Sequence, residues 1–370
     1  MKLKLLIAVA AISTLASCKK DKEDNAGPSV NTLPEFYNEA PSNDYGKNAP
    51  NIRLIADISN MVIQPQDLDF HSQQANQLWV INRGNDIQGG SSVTIFNPGS
   101  TNQKTEFRRD GNAWHFMAFP SGMAFSPTNG NWATTANIVD ANRSGGSFTG
   151  PTLWSGNMDV YAMESGGNGS HLDMLHGSPL SKGIAAEKDN IFWVYDGYYG
   201  HLVRYDFVAD HGPGNDDHSD GRVHRYTDVP LSQDANYPHH MVLDNNAEWL
   251  YIAEGPKQRI IRVNIKTGSK TTDLPLINEI LAEHWEMKGA TVEVVYDKNM
   301  QKPCGIALVG NRLYVTDNAT GDIIAIDINN RTEIGRVNTG NAGVTGIVYG
   351  LGKLWFANQT TNGIYVVEPK

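Results

Sequence analysis

The sequence predicts an all-β fold: a six-bladed β-propeller whose last blade is closed by a strand from the N-terminal side. Three observations predict it. A unit of two strands recurs six times along the chain. The sixth copy runs out of chain after three strands, leaving an open edge. A strand-like segment at 51–59 lies just ahead of the first copy and fits that edge.

Residues 1–17 read as a signal peptide. Lys2 and Lys4 give a positive start, and residues 5–16 are almost wholly apolar, a run of signal-core length. The stretch Leu15-Ala16-Ser17-Cys18 resembles a bacterial lipobox, which implies that Cys18 is lipidated. Residues 18–50 read as a flexible tether rich in Asn, Pro, Ser and Gly. The charged run Lys19 to Asp24 resembles the export signal of Bacteroidetes surface lipoproteins. The resemblance implies an outer-membrane lipoprotein, on the cell surface or on the periplasmic face. The membrane would be touched only through the lipid.

Residues 51–370 carry the six copies. An apolar stretch, often opened by Gly, leads to polar residues. An aromatic-aliphatic strand ending in Asn, Asp or Glu follows. Cys304 to Leu308 and Leu313 to Asp317 form the clearest copy. The others begin at Gln66, Ser121, Lys182, His239 and Thr345, at spacings of about 41 to about 65 residues. Third and fourth strands follow most pairs, as at 322–327 and 333–338. Leu276, Ile277, Ile280, Leu281 and Trp285 recur near helical spacing, so one short helix is expected at 276–287, inside an insertion. Trp79, Trp193, Tyr251, Tyr314 and Trp355 recur once per copy and are read as core between blades.

The copies at Lys182, His239, Cys304 and Thr345 resemble NHL-type repeats, with the pattern at Gly305 to Ala307 and Leu313 to Asp317. Asp67 and His240 stand where Gly is usual. The resemblance implies a six-bladed propeller and leaves function open, because one fold hosts many functions. Pro238-His239 also resembles the inner-strand opening of peptidylglycine-amidating lyase propellers. There, histidines from several blades hold a catalytic zinc, so the resemblance implies His239 as a Zn2+ ligand. The other blades depart from that pattern, and His71 and His176 do not stand at matching positions.

The net charge is -10, and no basic block lies beyond the tether, which argues against a nucleic-acid partner. With Cys18 lipidated, Cys304 is left as a lone thiol, so disulfides do not hold this fold. A body of about 320 residues buries a sufficient core without them.

Chemistry is expected at the channel mouth. Gln66, Ser121, Lys182, His239, Cys304 and Thr345 open the innermost strands, and His240 and Tyr198 are placed beside them. Polar residues there are also explained by a wet channel. A Cys304 thiolate next to His and Lys would be a depressed-pKa nucleophile. The Gly-rich loop 210–221 carries Asp210, Asp216, Asp217 and Asp220, a donor set for Ca2+ or, with His211 and His218, a transition metal. A plain acidic turn is the alternative. His115, Met117, Met123, His171, Met174 and His176 allow a copper reading, against which Met is common core filler. Asp196, Glu254, Asp317, Asn82 and Asn358 end second strands and are read as turn formers.

The leading expectation is a binding or scaffold module for a small molecule, glycan or protein. The second is a metal-dependent lyase or hydrolase with its site at the channel mouth.

Overall fold

The computed structural model describes residues 50–141, 149–163, 167–215, 217–244, 246, 248–276 and 279–368. All belong to the unit Thr32–Lys370. The signal peptide, Cys18, most of the tether and Asp216 lie outside the described residues. Among the described residues, no helix is long and apolar enough to cross a membrane.

Strand β1 (Asn51–Ala56) enters first. Blade 1 is β2 (Pro65–Phe70), β3 (Gln77–Asn85), β4 (Gly89–Phe96) and β5 (Lys104–Arg108). A short helix, α1 (Ala113–Phe116), leads to blade 2. That blade is β6 (Pro120–Phe125), β7 (Trp132–Ala136), β8 (Thr152–Trp154) and β9 (His171–Met174). Blade 3 is β10 (Ile184–Lys188), β11 (Ile191–Asp196), β12 (His201–Asp206) and β13 (Arg222–Pro230). Blade 4 begins with β14 (Met241–Leu243), β15 (Trp249–Glu254) and β16 (Arg259–Asn264). The chain then makes the hairpin β17 (Ser269–Asp273) and β18 (Glu283–Lys288), and completes blade 4 with β19 (Thr291–Tyr296). Blade 5 is β20 (Pro303–Val309), β21 (Arg312–Asp317), β22 (Asp322–Asp327) and β23 (Thr332–Asn338). Blade 6 is β24 (Val344–Gly350), β25 (Lys353–Asn358) and β26 (Gly363–Glu368), with β1 paired antiparallel to β26 as its fourth strand. The expected closure by an N-terminal strand is therefore present. The last and first segments of the body hold each other, and the ring has no loose end there.

The expected helix at 276–287 is corrected. Its apolar spacing is helical, but from Glu283 the chain is strand β18, which runs parallel to β13 and extends blade 3 to six strands. Tertiary pairing overrides the local pattern: Trp285 stacks on His224 of β13, with ring centroids 4.5 Å apart. Among the described residues, the short α-helix lies instead at α1, in the connection from blade 1 to blade 2. The hairpin thus leaves blade 4 and straps the outer edge of blade 3.

Trp79, Trp193, Tyr251, Tyr314 and Trp355 are all buried, in the core between blades. Of the residues ending second strands, Asp196, Asp317 and Asn358 make turns, whereas Asn82 accepts from the Ile63 amide of the preceding segment and Glu254 accepts from the Ser232 amide and pairs with Lys257 and Arg259. Asp196 Oδ1 accepts from the Tyr198 and Tyr199 amides, and Asn358 Oδ1 from those of Thr360 and Thr361.

Candidate functional site

The innermost strands β2, β6, β10, β14, β20 and β24 surround the channel. At the ends where they begin, the expected mouth residues are spent on joining blades. Ser121 Oγ donates to the Ser181 carbonyl of the next blade at 2.6 Å. Thr345 Oγ1 donates to the Pro65 carbonyl at 3.0 Å, tying blade 6 to blade 1. Gln66 bonds to the Gln64 carbonyl and to Gln359. Cys304 is fully buried. Buried polar groups need partners, and Ser121, Thr345 and Gln66 supply them to neighbouring backbone.

The expected activated thiolate at Cys304 is corrected. Burial pushes its thiol well above the ordinary range, and the nearby Asp67 and Asp317 carboxyls push the same way. A reactive thiolate needs a cation in that position.

Lys182 and His239 stay at this end. Lys182 Nζ donates to Asn137 Oδ1 at 2.7 Å, and burial lowers its pKa to about 8. His239 Nε2 accepts from the Asp234 amide at 3.0 Å, and burial, Lys182 and His240 lower it to about 3. Tyr198 is an exposed surface residue packed edge-on against Tyr199.

The open space is at the other end. A cavity of about 460 Å³ is lined by the later halves of the inner strands. Of the expected mouth residues only His240 reaches it; Asp67, Asp69, Glu187 and Asp244 are its acidic members, and Met123, Phe125, Ile306 and Ile347 are among its apolar ones. His240 is the channel's cross-brace. Its Nε2 donates to the Ser121 carbonyl in blade 2 at 2.9 Å, and its Nδ1 is 3.4 Å from Asp67 Oδ1 in blade 1. The Ser121 carbonyl fixes the tautomer, because a carbonyl only accepts.

Asp67 and Asp69 also join blades. Asp67 Oδ2 accepts from the Met123 amide, and Asp69 Oδ2 from that of Phe125, each at 2.9 Å. Burial raises Asp67 to about 8 against its two amide bonds, and it lowers His240 to about 4. Near neutral pH, burial therefore favours the uncharged form of both groups. Asp69 is raised to about 7 by burial, with the neighbouring Asp67 adding to the shift.

The Asp-rich loop divides. Asp210 Oδ1 accepts from the Gly212 amide, and Asp217 Oδ1 from the amide and hydroxyl of Ser219. Both are exposed turn formers. Asp220 turns inward to His211, whose Nε2 is 3.4 Å from Asp220 Oδ1 and 4.0 Å from Asp173 Oδ2. His218 joins them: its Nδ1 is 2.7 Å from Glu279 Oε2, which His176 Nδ1 also contacts at 2.7 Å. Among the described residues, the groupings of three metal-donor side chains within 4.8 Å are these two, at the rim where β9, the 210–221 loop and the strap meet. No such grouping includes the channel histidines. Sequence reading noted His171, His176, His211 and His218 in separate stretches but missed Asp173 and Glu279. Met117, Met123 and Met174 pack in apolar core with Trp79, Trp132 and Trp154, which accounts for them without copper.

No protein-family model matches the chain, and no curated protein matches it. Solved structures do. An auxiliary nutrient binding protein from Bacteroides ovatus ATCC 8483 is similar at 11% identity, covering 90% of this chain and 76% of that one, with a TM-score of 0.52. A streptogramin B lyase is similar at 15% identity, covering 86% and 98%, with a TM-score of 0.51. A luciferin-regenerating enzyme is similar at 10% identity, covering 86% and 95%, with a TM-score of 0.53. At these identities the likeness establishes the fold alone.

Proposed function

We propose that this chain is an extracytoplasmic binding propeller, tethered to a membrane through lipid on Cys18, which takes a small hydrogen-bond-donating ligand such as a polyol or an amine in its channel cavity. The observation that carries the reading is the cavity itself. Its volume of about 460 Å³ falls in the range of small-molecule pockets. Its lining places Asp244 among apolar side chains, so a ligand can bury carbon surface and donate to a carboxylate. The nutrient binding role named for the Bacteroides ovatus protein of the same fold supports this class of function. The tether rests on the signal-like run and the Leu15 to Cys18 motif.

The test is a melting-temperature and calorimetry screen of the detergent-purified full chain against neutral sugars, polyols and primary amines. At least one class should raise the melting temperature. Asp244→Asn should weaken that ligand, while Tyr198→Ala, on an exposed residue outside the cavity, should not. A ligand lost in Tyr198→Ala and kept in Asp244→Asn, or no ligand in any class, overturns the reading.

A further inference from the structure

We propose that Asp173, His211, His218 and Asp220 form a binding site for one divalent transition-metal ion, Zn2+ by its donor set, which staples the outer strand of blade 2 to the inserted loop of blade 3. This site is separate from the channel cavity, and the proposal stands or falls independently of the ligand that the cavity takes.

The first argument is an unmet acceptor. Asp173 is fully buried on β9, and while its Oδ1 accepts from the Met174 amide at 2.7 Å, its Oδ2 accepts no hydrogen bond. A buried carboxylate oxygen left this way is costly unless a cation meets it. Among the described residues no lysine or arginine forms an ion pair with Asp173, Asp220 or Glu279; the groups facing them are imidazoles.

The second argument is spacing. His211 Nε2 is 4.0 Å from Asp173 Oδ2 and 3.4 Å from Asp220 Oδ1, and His218 Nε2 is 4.0 Å from Asp173 Oδ1. Four donors at Zn–N and Zn–O lengths of about 2.0–2.1 Å stand about 3.3–3.4 Å apart at the corners of a tetrahedron. These three separations need to close by little more than half an ångström each; the donor atoms of Asp173, His211 and Asp220 all lie within 4.8 Å of one another, and His218 joins them through the other oxygen of Asp173. The contacts of Glu279 are different. Both imidazole Nδ1 atoms approach its Oε2 to 2.7 Å, which is hydrogen-bond length and too short for two ligands of one ion.

Glu279 therefore acts as a positioning residue. It accepts from His218 Nδ1, which fixes the tautomer that leaves Nε2 as the electron-pair donor on the Asp173 side. It also accepts from the His176 amide at 3.1 Å. Its own burial raises its pKa, but the hydrogen bonds from His176 and His218 outweigh that and hold it at about 2. The residue comes from the strap between β17 and β18, so the insertion from blade 4 supports a site between blades 2 and 3.

The donor set selects the ion. Ca2+ takes six to eight oxygens, and two of the four donors here are imidazole nitrogens. Imidazole with carboxylate suits zinc and its first-row neighbours.

The experiment uses the full chain, purified without an affinity histidine tag, stripped with chelator and titrated with Zn2+ in a calorimeter. Co2+ is used in parallel for its tetrahedral d–d absorption. One Zn2+ per chain is expected, with a rise in melting temperature. Asp173→Asn and His211→Ala should lose at least about 100-fold in affinity, and Glu279→Gln about 10–100-fold. Tyr198→Ala, on an exposed side chain outside this donor set and the channel cavity, should bind as the parent does. Should Asp173→Asn fail to fold, Asp220→Asn, on a side chain 30% exposed, reads the same point through loss of the Zn2+-dependent melting shift. Absence of Zn2+ binding in the parent chain, or binding undiminished in Asp220→Asn, overturns the proposal.

Discussion

The channel and the rim each bury carboxylates, and they treat them differently. In the channel, Asp67 and Asp69 accept backbone amides from the next blade, and Asp67 lies 3.4 Å from His240 Nδ1. At the rim, Asp173 has one amide bond and otherwise faces imidazoles about 4 Å away. Asp196 is the intermediate case, buried and answered by the Arg225 guanidinium at 3.2 Å. The comparison teaches that burial alone does not mark a site. What marks it is the partner: a backbone amide or a fixed cation completes a structural acid, whereas a cage of neutral-capable donors leaves room for an ion.

The largest effect should come from removing the cation that completes Asp196. Arg225 is buried, bonding Asp196, His284 of the strap and the Gly177 carbonyl. Taking one partner from a buried pair costs about 3–5 kcal/mol. Arg225→Ala should therefore lower the denaturant midpoint by that equivalent, read by chemical unfolding in chelator so that bound metal plays no part. A loss below about 1 kcal/mol, the range of an exposed pair, would show that Asp196 needs no cation and would break the comparison.

Next comes Asp67→Ala, which leaves the Met123 and Leu68 amides without their acceptor, at a cost of about 1–3 kcal/mol. Its pH dependence sharpens the argument. The Asp67 pKa is raised from 3.8 to about 8, so its stabilising contribution is full below pH 3.8 and is lost as pH rises through about 8. His240 is lowered from 6.5 to about 4, so its contribution is present above pH 6.5 and is lost as pH falls through about 4. The two offset each other between about pH 4 and 6.5, and above 6.5 the pair loses stability. The melting-temperature gap between the parent chain and Asp67→Ala should accordingly narrow steadily from pH 4 to pH 8. A gap that stays constant would mean that Asp67 is ionised throughout this range.

The propeller was legible because its signal is repeated. Six openings, five buried aromatics at one position of the repeat and an orphan strand at 51–59 all require one ring, and β1 on β26 completes it. What failed was whatever depended on contacts between distant segments. Leu276 to Met287 has helical spacing, yet pairing with β13 decides its state from Glu283 onward. The expected mouth residues Ser121 and Thr345 instead make inter-blade bonds, which no single repeat displays. The rim cluster draws on Asp173, His211, His218, Asp220 and Glu279, from β9, one loop and the strap. Each stretch looked ordinary by itself. The acidic loop was visible, but composition could not separate Asp220, which turns inward, from Asp210 and Asp217, which close local turns.

That last distinction sets the smallest expected effect. Asp217 and Asp220 are three residues apart in one loop and carry the same charge, so they differ only in direction. Asp217 is exposed and caps a short 3-10 turn through Ser219, a bond that an Asn oxygen reproduces. Asp217→Asn should leave both the melting temperature of the metal-free chain and the Zn2+ affinity unchanged, while Asp220→Asn loses the metal. Titrating the two variants side by side isolates geometry from charge. Equal weakening would mean that the loop attracts Zn2+ by its negative field alone, and such binding would fade with added salt, since a Debye length of about 8 Å at physiological ionic strength screens exposed charges. Loss confined to Asp220→Asn, and insensitive to salt, places the ion on the inward donors.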